Sequence, residues 1–101
     1  MRQPRPIAGA KAHHPLTIVR EAAGLTLQQV ARRMRTNVPT LSRLEGGQLL
    51  VGDAYLARYA KALGVRHRQA RLAYWLGVQL YALRLLEQAH SEIQRRYPVS
   101  R

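Results

Sequence analysis

The chain has 101 residues, which is enough for one compact domain with at most one appended element. Seventeen Lys and Arg residues against five Asp and Glu residues give a formal net charge of +12, so a polyanion is the first partner to consider. The absence of Cys excludes a disulfide framework, a thiolate metal site and a cysteine nucleophile. No apolar stretch is long enough to span a bilayer, and no apolar run follows the basic N-terminus as in a signal peptide. We therefore expect an intracellular protein without a membrane partner.

The N-terminal residues 1–15 are predicted to form a flexible basic arm. They are rich in Pro, Ala and basic residues and show no apolar period. Arg2, Arg5 and Lys11 would lie along a nucleic-acid backbone or in a minor groove, or would be a solvated arm only.

Four short helices are predicted between residues 16 and 65. The first begins at Leu16 and ends near Gly24. Thr26 is a suitable N-cap for the second, and Gln29 three residues later completes the spacing of a capping box. Apolar residues of the second helix recur at helical intervals: Leu27, Val30, Ala31 and Met34.

The third and fourth helices have equally local signals. Asn37 is predicted to cap the third helix, and Pro39 lies in its first turn, where a missing N–H is tolerated. Gly46–Gly47 ends that helix, because glycine adopts the left-handed conformation without strain. Asp53 is predicted to cap the fourth helix, which ends at Gly64.

The second and third helices, each about eight residues long, are separated by a tight turn around Arg35. This is the layout of a helix-turn-helix, whose later helix can enter a DNA major groove. The segments REAAGLT, QQVARRM, TLSRLEGG and LARYAKALGV resemble, in order and spacing, the Xre/Cro-like helix-turn-helix family of bacterial and phage regulators. The expected fold is all-α, with a four-helix repressor-type helix-turn-helix domain over residues 16–65 and a long dimerisation helix over residues 66–101.

The resemblance also implies roles for individual residues. Leu27 to Gly46 would be the DNA-binding unit, with Thr26 and Gln28 aimed at phosphate. The groove-facing side of the third, recognition helix would carry Asn37, Val38, Pro39, Thr40, Ser42 and Arg43. The wider DNA-contacting set includes Arg32, Arg35 and Gln48. Arg20 and Glu45 match positions that form a structural ion pair in relatives.

Some of these roles have alternatives. Arg43 is expected to read a base, because Arg pairs bidentately with guanine, and a phosphate contact is the alternative. Val38 would touch a thymine methyl group or pack inside the domain. Arg32, Arg33 and Arg35 form a basic run that would face phosphate or solvent. Arg35 stands where relatives often have glycine and is expected to adopt a positive φ.

Metal sites and catalytic sites are not indicated. The histidines lack a metal-ligand spacing: His13, His14, His67 and His90. The five acidic residues are scattered without a paired-carboxylate layout. We expect no metal, no cofactor and no enzymatic activity.

Residues 66–97 contain one Gly, Gly77, and no Pro, which predicts one long helix or two helices broken at Gly77. Apolar residues nearly encircle the stretch from 72 to 86, so it must be buried on more than one side. A second copy would cover the side that the small domain leaves open, through Leu72, Trp75, Leu76, Leu80, Leu83 and Leu86. A heptad track also runs along the helix: Leu72, Leu76, Gln79, Leu83, Leu86, His90, Ile93 and Tyr97. The alternative is a helix that only caps its own domain.

The sequence thus predicts sequence-specific binding of double-stranded DNA by a dimeric transcriptional regulator, a repressor that occludes a promoter, in the cytoplasm and nucleoid of a bacterial or phage-infected cell. One alternative is an antitoxin that keeps this DNA-binding module and binds a toxin through its C-terminal helix. Another is a non-specific binder of DNA or RNA, whose affinity would fall steeply with salt.

Overall fold

The computed structural model describes residues 14–98, and that range contains five α-helices and no strand. They are α1 (Pro15–Ala22), α2 (Leu27–Met34), α3 (Val38–Glu45), α4 (Asp53–Leu63) and α5 (His67–Arg96). The predicted all-α class is confirmed. Residues 1–13 of the proposed basic arm, with Arg2, Arg5, Lys11 and His13, lie outside the described residues, and α1 begins at Pro15, one residue before the predicted start at Leu16.

The start of α2 is fixed by the capping box that the sequence predicts. The Gln29 backbone N–H donates to the Thr26 hydroxyl at 3.1 Å, and the Thr26 backbone N–H donates to the Gln29 side-chain oxygen at 2.8 Å. Two N–H groups that the first turn cannot satisfy within the helix thereby gain partners. This start sets the helical register that buries Val30, Ala31 and Met34.

The start of α3 is capped by Asn37, whose side-chain oxygen accepts a hydrogen bond from the Thr40 backbone N–H at 2.8 Å. Its end follows the Schellman pattern. The Gln48 N–H donates to the Arg43 carbonyl at 2.9 Å, and the adjacent Gly47 takes the left-handed conformation with φ +78°.

The start of α4 differs from the prediction by one residue. Gly52 is the N-cap, and Asp53 is the first helical residue, so the expected Asp53 cap is wrong. The negative charge of an Asp in the first turn is stabilised by the positive end of the helix dipole, so Asp53 still marks the start of the helix. Asp53 also pairs with Arg71 of α5 at 3.5 Å. Gly64 ends the helix at φ +76°, as expected.

The last helix, α5, is continuous from His67 to Arg96, so the predicted alternative of a break at Gly77 is wrong. The buried residues of α5 are Ala70, Ala73, Tyr74 and Gly77, and this face packs against α1 and α4. A Cβ on Gly47 would lie 2.4 Å from the Gly77 carbonyl oxygen. Glycine at position 47 therefore allows the loop after α3 to touch the α5 backbone, whereas a Cβ on Gly77 would meet only ordinary contacts, the nearest at 3.7 Å.

The hydrophobic core lies where α1–α4 meet the first half of α5. Its largest fully buried side chains are Tyr59, Tyr74, Leu16, Leu41, Leu44, Leu56 and Val30. The Tyr74 hydroxyl donates to the Leu49 carbonyl at 2.8 Å and accepts from the Val51 N–H at 2.9 Å, which holds the α3–α4 loop.

The second half of α5 has no cover. Every residue from 82 to 98 is exposed. None of the helices described in residues 14–98 has the length and apolar character required to cross a membrane.

Candidate nucleic-acid interface

The connection between α2 and α3 is a turn of three residues, 35–37. Arg35 adopts φ 56° and ψ 46°, and the Thr36 N–H donates to the Ala31 carbonyl at 2.9 Å. Ala31 is buried, and its small side chain lets α3 cross α2 closely. The turn therefore places α3 across α2 with one side of α3 outward.

A buried carboxylate holds the C-terminal end of α3. Glu45 is the last residue of that helix and is 3% exposed. Its Oε2 accepts hydrogen bonds from Arg20 Nε at 2.7 Å and from the Tyr59 hydroxyl at 2.6 Å, and its Oε1 accepts one from the Thr17 hydroxyl at 2.8 Å. These contacts, which we call the Glu45 cluster, join α3 to α1 and α4 in one geometry.

Two further features stabilise the Glu45 cluster. Arg20 also donates, through Nη1, to the Leu25 carbonyl at 2.8 Å, and this hydrogen bond holds the α1–α2 turn. Burial, and then the nearby Glu45 carboxylate, raise the pKa of Tyr59, so its hydroxyl stays protonated and continues to donate. Arg20 and Glu45 thus form the pair implied by the family resemblance, and Tyr59 and Thr17 complete it.

The outward side of α3 is formed by the predicted groove-facing residues. Asn37, Pro39 and Arg43 are exposed, and Thr40 and Ser42 are half-buried. Asn37 uses its side-chain oxygen as the helix cap, and its amide NH₂ group donates to no residue between 14 and 98. The remaining predicted contact, Val38, is half-buried and packs against the core.

A family model described as a helix-turn-helix domain matches residues 15–74. The chain belongs to the helix-turn-helix domain family. The match spans α1–α4 and the first two turns of α5 and is consistent with the Xre/Cro-like resemblance. No curated protein and no solved structure matches the chain significantly.

The α2–α3 segment of the helix-turn-helix domain carries positive charge and no free carboxylate of its own. Residues 22–44 contain four Arg residues and no acidic residue, and Glu45 is neutralised inside the domain. Arg32, Arg35 and Arg43 are exposed and donate to no other residue within the part of the chain that the structure describes. These guanidinium groups are available to an anionic ligand.

Two other arginines of the helix-turn-helix domain are held by backbone groups. Arg58 donates to the Met34 carbonyl at 2.7 Å, and Arg33 donates to the Ala62 carbonyl at 2.7 Å. Each guanidinium satisfies a carbonyl in the last turn of a helix, where the helix dipole favours a cation. Arg33 is thereby separated from the basic run with Arg32 and Arg35, a distinction that only the tertiary contact reveals.

The other predicted contacts of the helix-turn-helix domain lie near the two helix ends. Thr26 and Gln28 are exposed at the start of α2, and Gln48 is exposed just after α3. No group of three His, Cys, Asp or Glu side chains that could hold a metal ion occurs between residues 14 and 98.

Proposed function

We propose that this protein binds double-stranded DNA sequence-specifically as a dimeric transcriptional regulator, and that it represses by occluding a promoter. The observation that carries the proposal is the outward side of α3, which presents the exposed Arg43 on a helix that the Glu45 cluster anchors from behind. A helix held in this way can enter a major groove without reorganising the domain.

Affinity and specificity come from different side chains. Arg32 and Arg35 contact phosphates and release counterions, which supplies affinity that does not depend on sequence. Arg43 reaches base edges and pairs with guanine O6 and N7. Thr40 contacts a phosphate, and Pro39 stiffens the first turn of α3.

Dimerisation gives the protein a second DNA-binding domain. A single small module buries only about 600–1,000 Å² of its own surface on DNA, which gives few contacts for tight specific binding. The exposed apolar residues of α5 supply a pairing surface: Leu72, Trp75, Leu76, Leu80, Leu83 and Leu86. Two copies related by a twofold axis would read half-sites of an inverted repeat.

The same exposed residues of α5 also support the second candidate function, an antitoxin that covers them with a toxin protein. Sedimentation of the purified chain distinguishes the two candidates. A stable homodimer formed by the chain alone supports the regulator function. Aggregation that is relieved only by a co-expressed neighbouring protein supports the antitoxin function.

Selection of bound duplexes from a random pool at about 150 mM salt tests sequence specificity, because this salt weakens purely electrostatic binding. We expect an inverted repeat to be enriched. A pool without sequence preference would contradict the proposal and favour non-specific binding of nucleic acid.

Arg43→Ala is expected to lose preference at particular base pairs of the selected site. One bidentate Arg–guanine pair discriminates by about 1–3 kcal/mol, so the affinity ratio between the selected and substituted site should fall about 5- to 150-fold. Fluorescence anisotropy with both duplexes measures this ratio. Arg68→Ala is the matched control, because it removes the same charge from an exposed position on α5. Equal weakening of both duplexes by Arg43→Ala would reassign Arg43 to phosphate.

Arg35→Gly is expected to change stability and DNA affinity in opposite directions. Glycine relieves the positive φ of the turn, which should raise the free energy of unfolding by about 0.5–1 kcal/mol. Loss of the guanidinium should weaken binding to all duplexes and lower the salt slope by about 1. Urea unfolding and salt titrations measure the two effects. An unchanged salt slope would show that Arg35 does not contact phosphate.

A further inference from the structure

One side of α5 carries an exposed stripe opposite the face that packs on the domain. The stripe consists of the eight heptad positions Leu72, Leu76, Gln79, Leu83, Leu86, His90, Ile93 and Tyr97, all of which are exposed. Its six apolar members range from 50% exposed at Leu76 to 72% at Tyr97. An exposed stripe that is apolar at six of eight positions indicates an interaction surface, and its spacing is that of a coiled-coil seam.

We propose that two copies of the chain pair antiparallel through this α5 stripe, with Gln79 of each copy facing the partner's His90. The pairing rests on the dimer in the proposed function and specifies its geometry. In this register Leu72 faces the partner's Tyr97, Leu76 faces the partner's Ile93, and Leu83 faces the partner's Leu86. The twofold axis passes between residues 84 and 85.

The order of residues along the stripe carries this register. The two polar residues occupy the third and sixth of the eight positions, so the pattern of polar and apolar residues is the same in both directions. In an antiparallel pair every apolar position then meets an apolar one. The two polar positions meet each other in two symmetric layers.

The Gln79–His90 layers also disfavour shifted registers. A Gln amide donates and accepts, and a neutral His ring donates through one nitrogen and accepts through the other, so the two side chains can hydrogen-bond across the seam. A shift by one heptad would place Gln79 opposite Leu83 or Tyr97 and His90 opposite Leu72 or Leu86. A polar group buried against an apolar one costs about 1–3 kcal/mol, so both shifts are disfavoured.

The position of the domain on α5 favours the antiparallel orientation. The domain packs on residues 70–77, and the exposed Arg66 and Arg68 lie at the same end of the helix. The antiparallel pair places the two packed segments about 33 Å apart along the helix axis, at 1.5 Å per residue. Half-sites one turn of DNA apart are separated by about 34–36 Å, so this orientation suits the inverted repeat of the proposed function. Charge does not decide the orientation, because in the antiparallel pair Arg66 and Arg68 lie beside the partner's C-terminal turn, which is also basic.

Cysteine cross-linking tests orientation and register directly, because the chain contains no Cys. Leu76→Cys and Ile93→Cys are prepared separately, one of them with a mass tag, then mixed and oxidised. The expected product is the mixed disulfide, at least five times as abundant as either self-linked product. Ser91→Cys is the matched control, since Ser91 is exposed on α5 outside the stripe and reports random collision. Circular dichroism checks that each variant keeps its helical content.

Two results would overturn the pairing. Self-linked Leu76→Cys as the main product would show a parallel pair. Cross-linking no faster than the Ser91→Cys control, with a monomer in sedimentation, would show that the stripe does not pair copies at all. Binding of the reduced variants to a single half-site at low salt is measured in parallel, so that failure of the pairing is distinguished from failure of DNA binding.

Discussion

Glu45→Gln is expected to lower the free energy of unfolding by about 3–5 kcal/mol, the usual cost of breaking a buried ion pair by removing one charge. Gln has nearly the volume of Glu, so the loss comes from charge and hydrogen bonding rather than from a cavity. Arg20 would keep its buried positive charge without a carboxylate at 2.7 Å. The Thr17 and Tyr59 hydroxyls would compete for one remaining acceptor oxygen.

Urea unfolding measures this loss, and Glu21→Gln is the matched control. Glu21 is an exposed acidic residue on α1, so its replacement should change stability by no more than about 0.5 kcal/mol. Tyr59→Phe removes one hydrogen bond to a charged group and should cost about 1.5–3 kcal/mol. Folding raises the pKa of Tyr59, so this contribution is fully present below about pH 10 and declines only at higher pH.

A loss for Glu45→Gln no larger than for Glu21→Gln would contradict the structural role of the Glu45 cluster. DNA binding offers a second readout. A loosened α3 should lose affinity for the selected site even under conditions in which the variant remains folded.

Gly47→Ala is expected to destabilise the protein by about 2–4 kcal/mol. The positive φ of +78° accounts for about 1 kcal/mol of this loss. The rest, about 1–3 kcal/mol, is the cost of overpacking, because the new Cβ would lie 2.4 Å from the Gly77 carbonyl oxygen and 2.8 Å from its carbon. Both are backbone atoms, so relief requires the loop or α5 to move.

Gly24→Ala is the control that separates strain from collision. Gly24 has φ +76°, almost the same as Gly47, yet a Cβ there meets nothing within 4 Å. Thermal unfolding of the two variants should therefore differ by the overpacking cost alone. Equal losses would show that the loop after α3 does not approach α5 as closely as described.

The parts of the fold that depend on neighbouring residues could be predicted from the sequence. Thr26 with Gln29, Asn37 and Gly64 act through backbone groups within a few residues, and the structure confirms these helix ends. The predicted N-cap of α4 was wrong by one position, because an acidic side chain is favourable both at the N-cap and in the first turn of a helix.

Contacts between distant segments could not be predicted. The sequence shows Gly77 only as a helix breaker, whereas the structure uses it as the point where the loop at Gly47 meets α5. Arg33 and Arg58 carry the same charge as the arginines without partners, and nothing in the sequence around them indicates that each binds a helix end more than 20 residues away. The hydrogen bond from Tyr59 to Glu45 likewise depends on how α3 and α4 meet.

The candidate site was predicted in outline because the position of α3 follows from the helix-turn-helix pattern. The family resemblance predicted the pair of Arg20 and Glu45. Because these residues are 25 positions apart, no local spacing rule could have paired them. Which of the outward residues touch bases stays a prediction, since it depends on the DNA and not on the fold.

The anchoring of α3 from its inner side has a consequence for engineering. The contacts that hold the helix involve Glu45, Leu41, Leu44 and the Asn37 cap, whereas Pro39, Thr40 and Arg43 have no side-chain bonds within residues 14–98. Side chains at these three positions can therefore be randomised with little loss of stability. The domain offers a scaffold on which libraries of variants could be screened for new target sequences.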